Sequence, residues 1–352
     1  MDVLLMVISA TLVLGFLVFI HEGGHFVAAR AFGVRVSEFM LGLPGPKVGF
    51  TFKGTKFGVT AVPLGGYANV CGMTQPSLPE DVTRDVLAHC YARGAVLLDE
   101  IEERFALSED EAYNVLEDLS DWGSLERPRK TDAANVYRTP AGNGFLSGQA
   151  HVNFDPVLLY EAERSQQYFS LPFWKRATIL AAGPLVNVLF AMVAFVLVYS
   201  VFGFDLQNTQ TGEVAHCTLT PLQSIQAGFQ YVGAVAAAIA GLFNPITAAD
   251  TVSNSTSIIG IAVMSKSALE AGFVSLLSFS ALISVSLGLM NLLPIPPLDG
   301  GRLAVELVQR VSHRVIPVRV VNYLSIAGMT LFIGLFAIMA NQDIQRFVFG
   351  NW

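Results

Sequence analysis

The chain has 352 residues, 53% of them hydrophobic and only 14% charged, with a mean hydropathy of +0.52, which excludes an ordinary water-soluble domain. A net charge of −7 argues against broad binding of nucleic acid or anionic lipid. Cys71, Cys90 and Cys217 are far apart and form no CxxC pair, so any metal must be held by His, Asp or Glu.

The first apolar run, Val3 to Ile20, has no basic residue before it and enters His21 without a cleavage-type boundary. It reads as a retained membrane helix rather than a secretion signal. Residues four apart share a helix face, so His21 and His25 can present two imidazoles to one zinc ion while Glu22 polarises a water, the HExxH arrangement. His21 lies about 27 Å along the helix from Val3, near the far edge of the hydrocarbon layer. Ionisable groups at that depth are expensive and as a rule functional, with helix packing as the alternative. Gly23 and Gly24 permit close approach and are expected to admit the helix bearing a third ligand.

Phe50 to Thr60 reads as a β-hairpin turning near Lys53, Gly54 and Thr55, followed by a turn at Pro63 to Gly66. Three short helices are then expected at Val86–Arg93, Val96–Phe105 and Glu109–Trp122, the last capped by Ser108, with Gly123 ending the pattern. Leu125 to Pro140 folds back as a hairpin, and Gly142 to Ser165 reads as a linker. This order is similar to a winged helix-turn-helix. The third helix, however, carries Glu109, Asp110, Glu111, Glu117, Asp118 and Asp121 and no basic residue. Seven basic and thirteen acidic residues between Arg84 and Pro140 would repel phosphates, which favours a docking or regulatory module with a cytoplasmic protein partner over a nucleic-acid reader.

Ala177–Phe202, Phe273–Leu293 and Val318–Ala340 are each long enough to cross a hydrocarbon core of about 30 Å. Leu222–Phe243 is a weaker candidate, with Gln223 and Gln226 near its start. Fifteen of the twenty-one Lys and Arg residues fall between Phe26 and Arg176, none between Gly203 and Ser265, and four between Asp299 and Arg319. Counting charges near the membrane ends puts the first and last interhelical regions in the cytoplasm and the amino terminus outside. The first and third runs then point the same way, bringing His21 and Asp299 to one side, provided Leu222–Phe243 does not cross. That segment is expected at the outer surface or as a re-entrant element.

A catalytic zinc takes three protein ligands and leaves a position for water. Asp299 is the best third candidate. It follows Asn291 in a run broken by Pro294, Pro296 and Pro297, and Gly300 and Gly301 allow a tight backbone after it. Its alternative role is to cap a helix starting at Arg302.

HEGGH at 21–25, Ala-Ala-Gly-Pro-Leu-Val-Asn at 181–187 and Asn291 to Gly301 together resemble, in matching order, the signature segments of the site-2 protease family. Phe57 to Tyr67 further resembles the bacterial branch that includes the regulator of sigma-E protease. The resemblance covers residues 1–72 and about 172–346. It implies an intramembrane zinc metalloprotease in the bacterial cytoplasmic (inner) membrane, with one Zn2+ held by His21, His25 and Asp299, Glu22 as general base and acid, and a single-pass membrane protein substrate, an anti-sigma factor being one such. Asn187 and Asn291 become candidates for substrate or oxyanion binding, or for interhelical hydrogen bonds. The hairpin, with Val59, and the Gly65–Gly66 turn are expected to receive an unwound substrate by strand addition, or to be purely structural. Close bacterial members of the family usually carry one or two external PDZ domains after the second helix; Phe204–Thr220 is too short for one.

The expected fold is a mainly α polytopic membrane protein with four transmembrane helices, a membrane-associated β-hairpin and a cytoplasmic winged-helix-like insertion. Its parts are 1–72 (first helix and hairpin), 73–171 (insertion, module at about 84–140 plus linker) and 172–352 (helices two to four, with 222–243 as an external interfacial segment). A membrane-tethered regulator acting through the insertion is the competing reading. A zinc transporter fits poorly, because the external halves of the helices offer few polar residues.

Overall fold

The computed structural model describes residues 2–62, 65–129, 132, 134–142, 144–207, 214–314, 316–347 and 349–350. Helix α1 (Asp2–Ala31) runs unbroken through HEGGH. It leads into β1 (Val36–Leu41), β2 (Lys47–Phe52), β3 (Thr55–Thr60) and β4 (Gly66–Val70), which form one sheet in the order β2-β3-β1-β4. The β2–β3 hairpin turns through Lys53 and Gly54, both at positive φ. It is thus half of a four-stranded sheet, and Val59 lies in an interior strand, paired with Leu41 on one side and Val48 on the other. Pro63 and Leu64 of the expected turn lie outside the described residues.

The insertion contains α2 (Glu80–Arg93), β5 (Ala95–Leu97), α3 (Leu98–Phe105), α4 (Glu109–Asp121), β6 (Val136–Arg138) and α5 (Pro156–Ser165). Its own core gathers Val86, Leu87, Ile101, Val115, Leu116 and Trp122. Two expectations change here. Ala95–Leu97 is a strand rather than the start of a helix, because it pairs with Val136–Arg138 and thereby buries Val96 and Tyr137. The stretch expected to be a linker ends in α5, which Asp155 caps through the backbone N–H groups of Val157 and Leu158, and Tyr160 on α5 joins the core. Ser108 caps α4 in a reciprocal capping box with Glu111, as its spacing predicts.

Helix α6 (Phe173–Val196) continues as a wider π-helical segment to Phe202, and β7 (Phe204–Gln207) pairs with β8 (Val214–Cys217). Then follow α7 (Pro221–Gly241), α8 (Ala248–Ser253), α9 (Ile258–Glu270), α10 (Phe273–Asn291), α11 (Asp299–Ser312) and α12 (Val318–Phe347). Among the described residues, four helices are long and apolar enough to cross a membrane: Val3–Ala31, Phe173–Phe202, Phe273–Asn291 and Arg319–Phe347. The protein is a multi-pass membrane protein with mainly helical structure.

Leu222–Phe243 does not lie apart as an interfacial segment. Ser224 is hydrogen-bonded to Ser200 at 2.7 Å, Tyr231 packs on Phe195 with Val232 against the same cluster, and Phe243 lines one apolar pocket with Leu292 and Leu293. Helix α7 therefore runs the length of the α6–α10 face. Twenty-one residues make it about 31 Å long. The chain returns through α9, where Ser265 meets Ser9 of α1 at 3.0 Å, and re-enters α10 with Phe273 against Phe202.

Candidate metal centre and its cleft

The HEGGH turn faces α6. A Cβ on Gly24 would sit 2.6 Å from the Ala182 carbonyl oxygen, and one on Gly183 would sit 2.3 Å from His25 Nε2. Small residues on both helices thus let the imidazoles lie flush against the neighbouring backbone. The helix that Gly24 admits is α6, not the one carrying Asp299 as the sequence suggested, and Gly23 meets nothing within 4 Å.

Asp299 opens α11 rather than capping it; Leu298 holds the cap position. A Cβ on Gly300 would be 2.2 Å from the Leu292 carbonyl carbon, so only glycine lets the helix start dock so tightly. An ion pair between Arg176 and Glu306, 3.1 Å, ties α11 to α6. This docking delivers Asp299 Oδ2 to 3.1 Å from His21 Nε2 and 3.2 Å from His25 Nε2, while the two Nε2 atoms are 3.4 Å apart. Tetrahedral ligands at about 2.0–2.1 Å from a zinc ion stand about 3.3 Å from one another, so the three donors fit such an ion. Burial alone would raise the Asp299 carboxyl, but its hydrogen bonds with His21 and His25 hold it well below the usual carboxylate range.

His25 Nδ1 lies 2.8 Å from the Ile179 carbonyl oxygen, which fixes that nitrogen as the donor and frees Nε2 as a ligand atom. Glu22 is held from the other side: its Oε2 accepts from the Ala68 N–H at 2.8 Å. That N–H points off β4 and away from β1, so the free edge of β4 faces the site. Beside it opens a cleft of about 510 Å³ whose lining includes Glu22, His25, Asp299, Gly66, Ala68 and Val70.

The remaining sequence candidates divide. Gly66 lies in the cleft wall, whereas the Gly65 carbonyl accepts from the Gly42 N–H at 2.9 Å, closing the sheet. Val59 is in the sheet interior, away from the free edge. Asn291 donates to the Leu287 carbonyl of its own helix at 3.1 Å. Asn187 is fully buried between helices. Neither asparagine lines the cleft. Sequence reasoning missed Met73, Thr74, Asp121 and Arg302 at its mouth. Asp121 comes from the insertion, which Arg35 keys to the end of α1 through Glu163 Oε2 at 2.8 Å, the Trp122 carbonyl at 3.1 Å and Gln166 Oε1 at 3.1 Å. No local pattern marks such a contact; only a charged residue just beyond a membrane helix hints at it.

The sequence profile described as Peptidase family M50 matches residues 9–335. The chain belongs to that family. Among relatives, a Campylobacter jejuni protein designated a zinc metalloprotease is 27% identical over 97% of this chain and 94% of its own length. The regulator of sigma-W protease RasP of Bacillus subtilis is 23% identical over 97% of this chain and 98% of its own length. The zinc metalloprotease RasP of Geobacillus kaustophilus is 24% identical with the same two coverages, 97% and 98%. The M50 chain described here is accordingly a site-2-type intramembrane zinc metalloprotease, with Zn2+ as its cofactor.

Proposed function

We propose that His21, His25 and Asp299 hold the zinc ion, that Glu22 is the catalytic base and acid, and that the substrate is a transmembrane segment cleaved beside the β4 edge. The observation that carries this reading is the triangle of three donor atoms within 3.4 Å of one another, with Glu22 beside it and a free strand edge across the cleft. Zinc so held supplies Lewis acidity to a water and to the scissile carbonyl. Glu22 takes a proton from the attacking water and delivers it to the leaving amine.

A helical substrate must unwind to be cut, and its backbone groups then need new partners, since lipid offers none. The outward N–H and C=O groups of β4 provide them by strand addition. This moves the docking strand from the β2–β3 hairpin to β4, because Val59 in β3 already has both its neighbours and β2, the other edge of the sheet, does not line the cleft. A proline at Val59 would damage the sheet rather than report on docking.

Lys and Arg asymmetry supports an external amino terminus in a bacterial inner membrane, with the site towards the cytoplasm. The packing of α7 is compatible with it: α7 leads in from the Ser200 end and α9 leads back, a re-entrant pair that leaves the orientation of α10 unchanged. The substrate class is a single-pass membrane protein; an anti-sigma factor is the example suggested by the name of RasP as a regulator of sigma-W protease. The insertion, with helices α2 to α4 and β6 paired to both β5 and Glu126, has a winged-helix-like order. Its acidic α4 supports a protein-docking role at the cleft mouth rather than nucleic-acid binding.

The test is co-expression of a candidate single-pass substrate with wild type or Glu22→Gln, scoring cleavage and bound zinc together. Loss of cleavage with zinc retained supports the assignment; cleavage that survives the substitution removes it.

A further inference from the structure

The two histidines are not supported alike. His25 Nδ1 is 2.8 Å from the Ile179 carbonyl oxygen, whereas His21 Nδ1 is buried without a hydrogen-bond partner among the described residues. A second orphan lies in the same layer: Asn187 is 0% exposed, and both Oδ1 and Nδ2 of its carboxamide lack partners. An isolated buried amide is expensive, and a metal-ligating imidazole ordinarily donates its other N–H to an acceptor.

Neighbouring contacts bracket Asn187 along α1. Gly183, Asn187 and Phe190 stand at i, i+4 and i+7 on α6, one face of the helix. The first of these abuts His25 Nε2, and the third packs on Phe16 with ring centroids 5.3 Å apart. Helices α1 and α6 run antiparallel here, so the residue between those two contacts stands across from Ile20 and His21. Leu287, next to Gly288, joins Ile20 in one apolar cluster, and a Cβ on Gly288 would be 3.3 Å from the Asn187 Cβ. The carboxamide is therefore walled in by α10 at the level of His21.

We infer that Asn187 is a positioning residue: its Oδ1 and the His21 Nδ1 are not bonded to one another as the side chains stand, and a turn of the carboxamide towards the imidazole lets Oδ1 accept the Nδ1 proton when Nε2 ligates zinc, the part that the Ile179 carbonyl plays for His25. This rests on the zinc-site assignment above. It replaces the oxyanion role considered from sequence, because Asn187 does not line the cleft. The Nδ2 group has no acceptor assigned to it.

The test uses the full-length protein in detergent, with zinc affinity measured by competition against a chromophoric chelator, and with the visible absorption spectrum of the cobalt-substituted form. Asn187→Leu keeps the branched shape and removes the acceptor; affinity should fall about 10–100-fold. Asn187→Asp restores an acceptor and should return affinity to at least that of wild type, with a cobalt spectrum closer to wild type than that of the leucine variant. Should the leucine variant bind zinc within twofold of wild type, or the aspartate variant bind as weakly as the leucine one, the inference is overturned. If the leucine variant fails to fold, the aspartate variant is compared with wild type alone: affinity at least equal to wild type is expected, and a fall of about tenfold or more overturns the inference. Wild-type affinity in His21→Ala would instead remove the zinc-site assignment itself.

Discussion

The membrane core and the insertion handle polar groups in opposite ways. Within the α1–α6–α10 core, polar residues are few and individually placed: His21, His25 and Asn187 are all buried, and Ser284 donates to the Asn187 carbonyl at 2.8 Å. The insertion spreads charge over its surface, as in the Arg127–Glu117 pair at 2.8 Å, around an apolar cluster beside which Thr83, Ser124 and Thr139 are buried with hydrogen bonds to neighbouring groups. Lipid makes each polar group expensive, so its presence signals a task. Water makes charge cheap, so in the insertion only its sign and distribution inform. Arg35 joins the two regimes at the point where the chain leaves the membrane.

Perturbing each region separately should expose that contrast. Glu22→Gln is expected to have the largest effect, a loss of about 10²–10⁴-fold in cleavage with zinc content unchanged, since the role proposed for Glu22 is general acid–base catalysis and not metal binding. Leu116→Ala, fully buried in the insertion core, should destabilise that unit by about 2–5 kcal/mol. Faster amide hydrogen exchange over 80–165 with α1 unaffected would show two separable units; faster exchange in both would merge them.

Arg35→Met leaves Glu163, whose side chain is 12% exposed, without its ion-pair partner. The loss should be about 3 kcal/mol, and it should loosen the insertion from the cleft while zinc stays bound. Zinc lost in step would mean that the insertion supports the metal site directly. Ala68→Pro removes the N–H that Glu22 accepts without touching the β1–β4 ladder, because that N–H points off the sheet. About 1.5–3 kcal/mol is at stake in such a charged hydrogen bond, so cleavage should fall roughly 10–100-fold. Unchanged turnover would mean that the Ala68 N–H does not hold Glu22 for its work.

The smallest effect is that of pH on the insertion. His151 stacks on Phe145 with ring centroids 3.9 Å apart, and burial pushes its imidazole below the usual value. The unfolded chain therefore takes up the proton first as pH falls. This contribution to stability is complete above about pH 6.5 and is lost below it, towards the lower folded-state value. Thermal unfolding across that range should show the slope in wild type and a flatter profile in His151→Phe.

Much of the core was legible because lipid filters sequence so strongly. HEGGH inside an apolar run, and Asp299 after a proline-broken helix, are patterns that few chemistries other than metal binding require. Ser108 announced the start of α4 as a cap, and the structure adds Glu111 as its reciprocal partner. Less legible was anything decided by partners distant in sequence. Ala95–Leu97 has helical neighbours and became a strand only because Val136–Arg138 lay alongside. Pro156–Ser165 looked like a linker until its Tyr160 found the insertion core.

Composition, the four apolar spans, the two-histidine turn and its carboxylate partner were thus determined by sequence, since each follows from local spacing or from the cost of polarity in lipid. Tertiary structure alone decided that α7 packs along α6 and α10, that of the two sheet edges β4 rather than β2 of the hairpin lines the cleft, and that Asp121 reaches it. It also decided that Asn187 stands level with His21. Those facts depend on which surfaces meet, and helix approach distances and strand order carry no signature in any short stretch of chain.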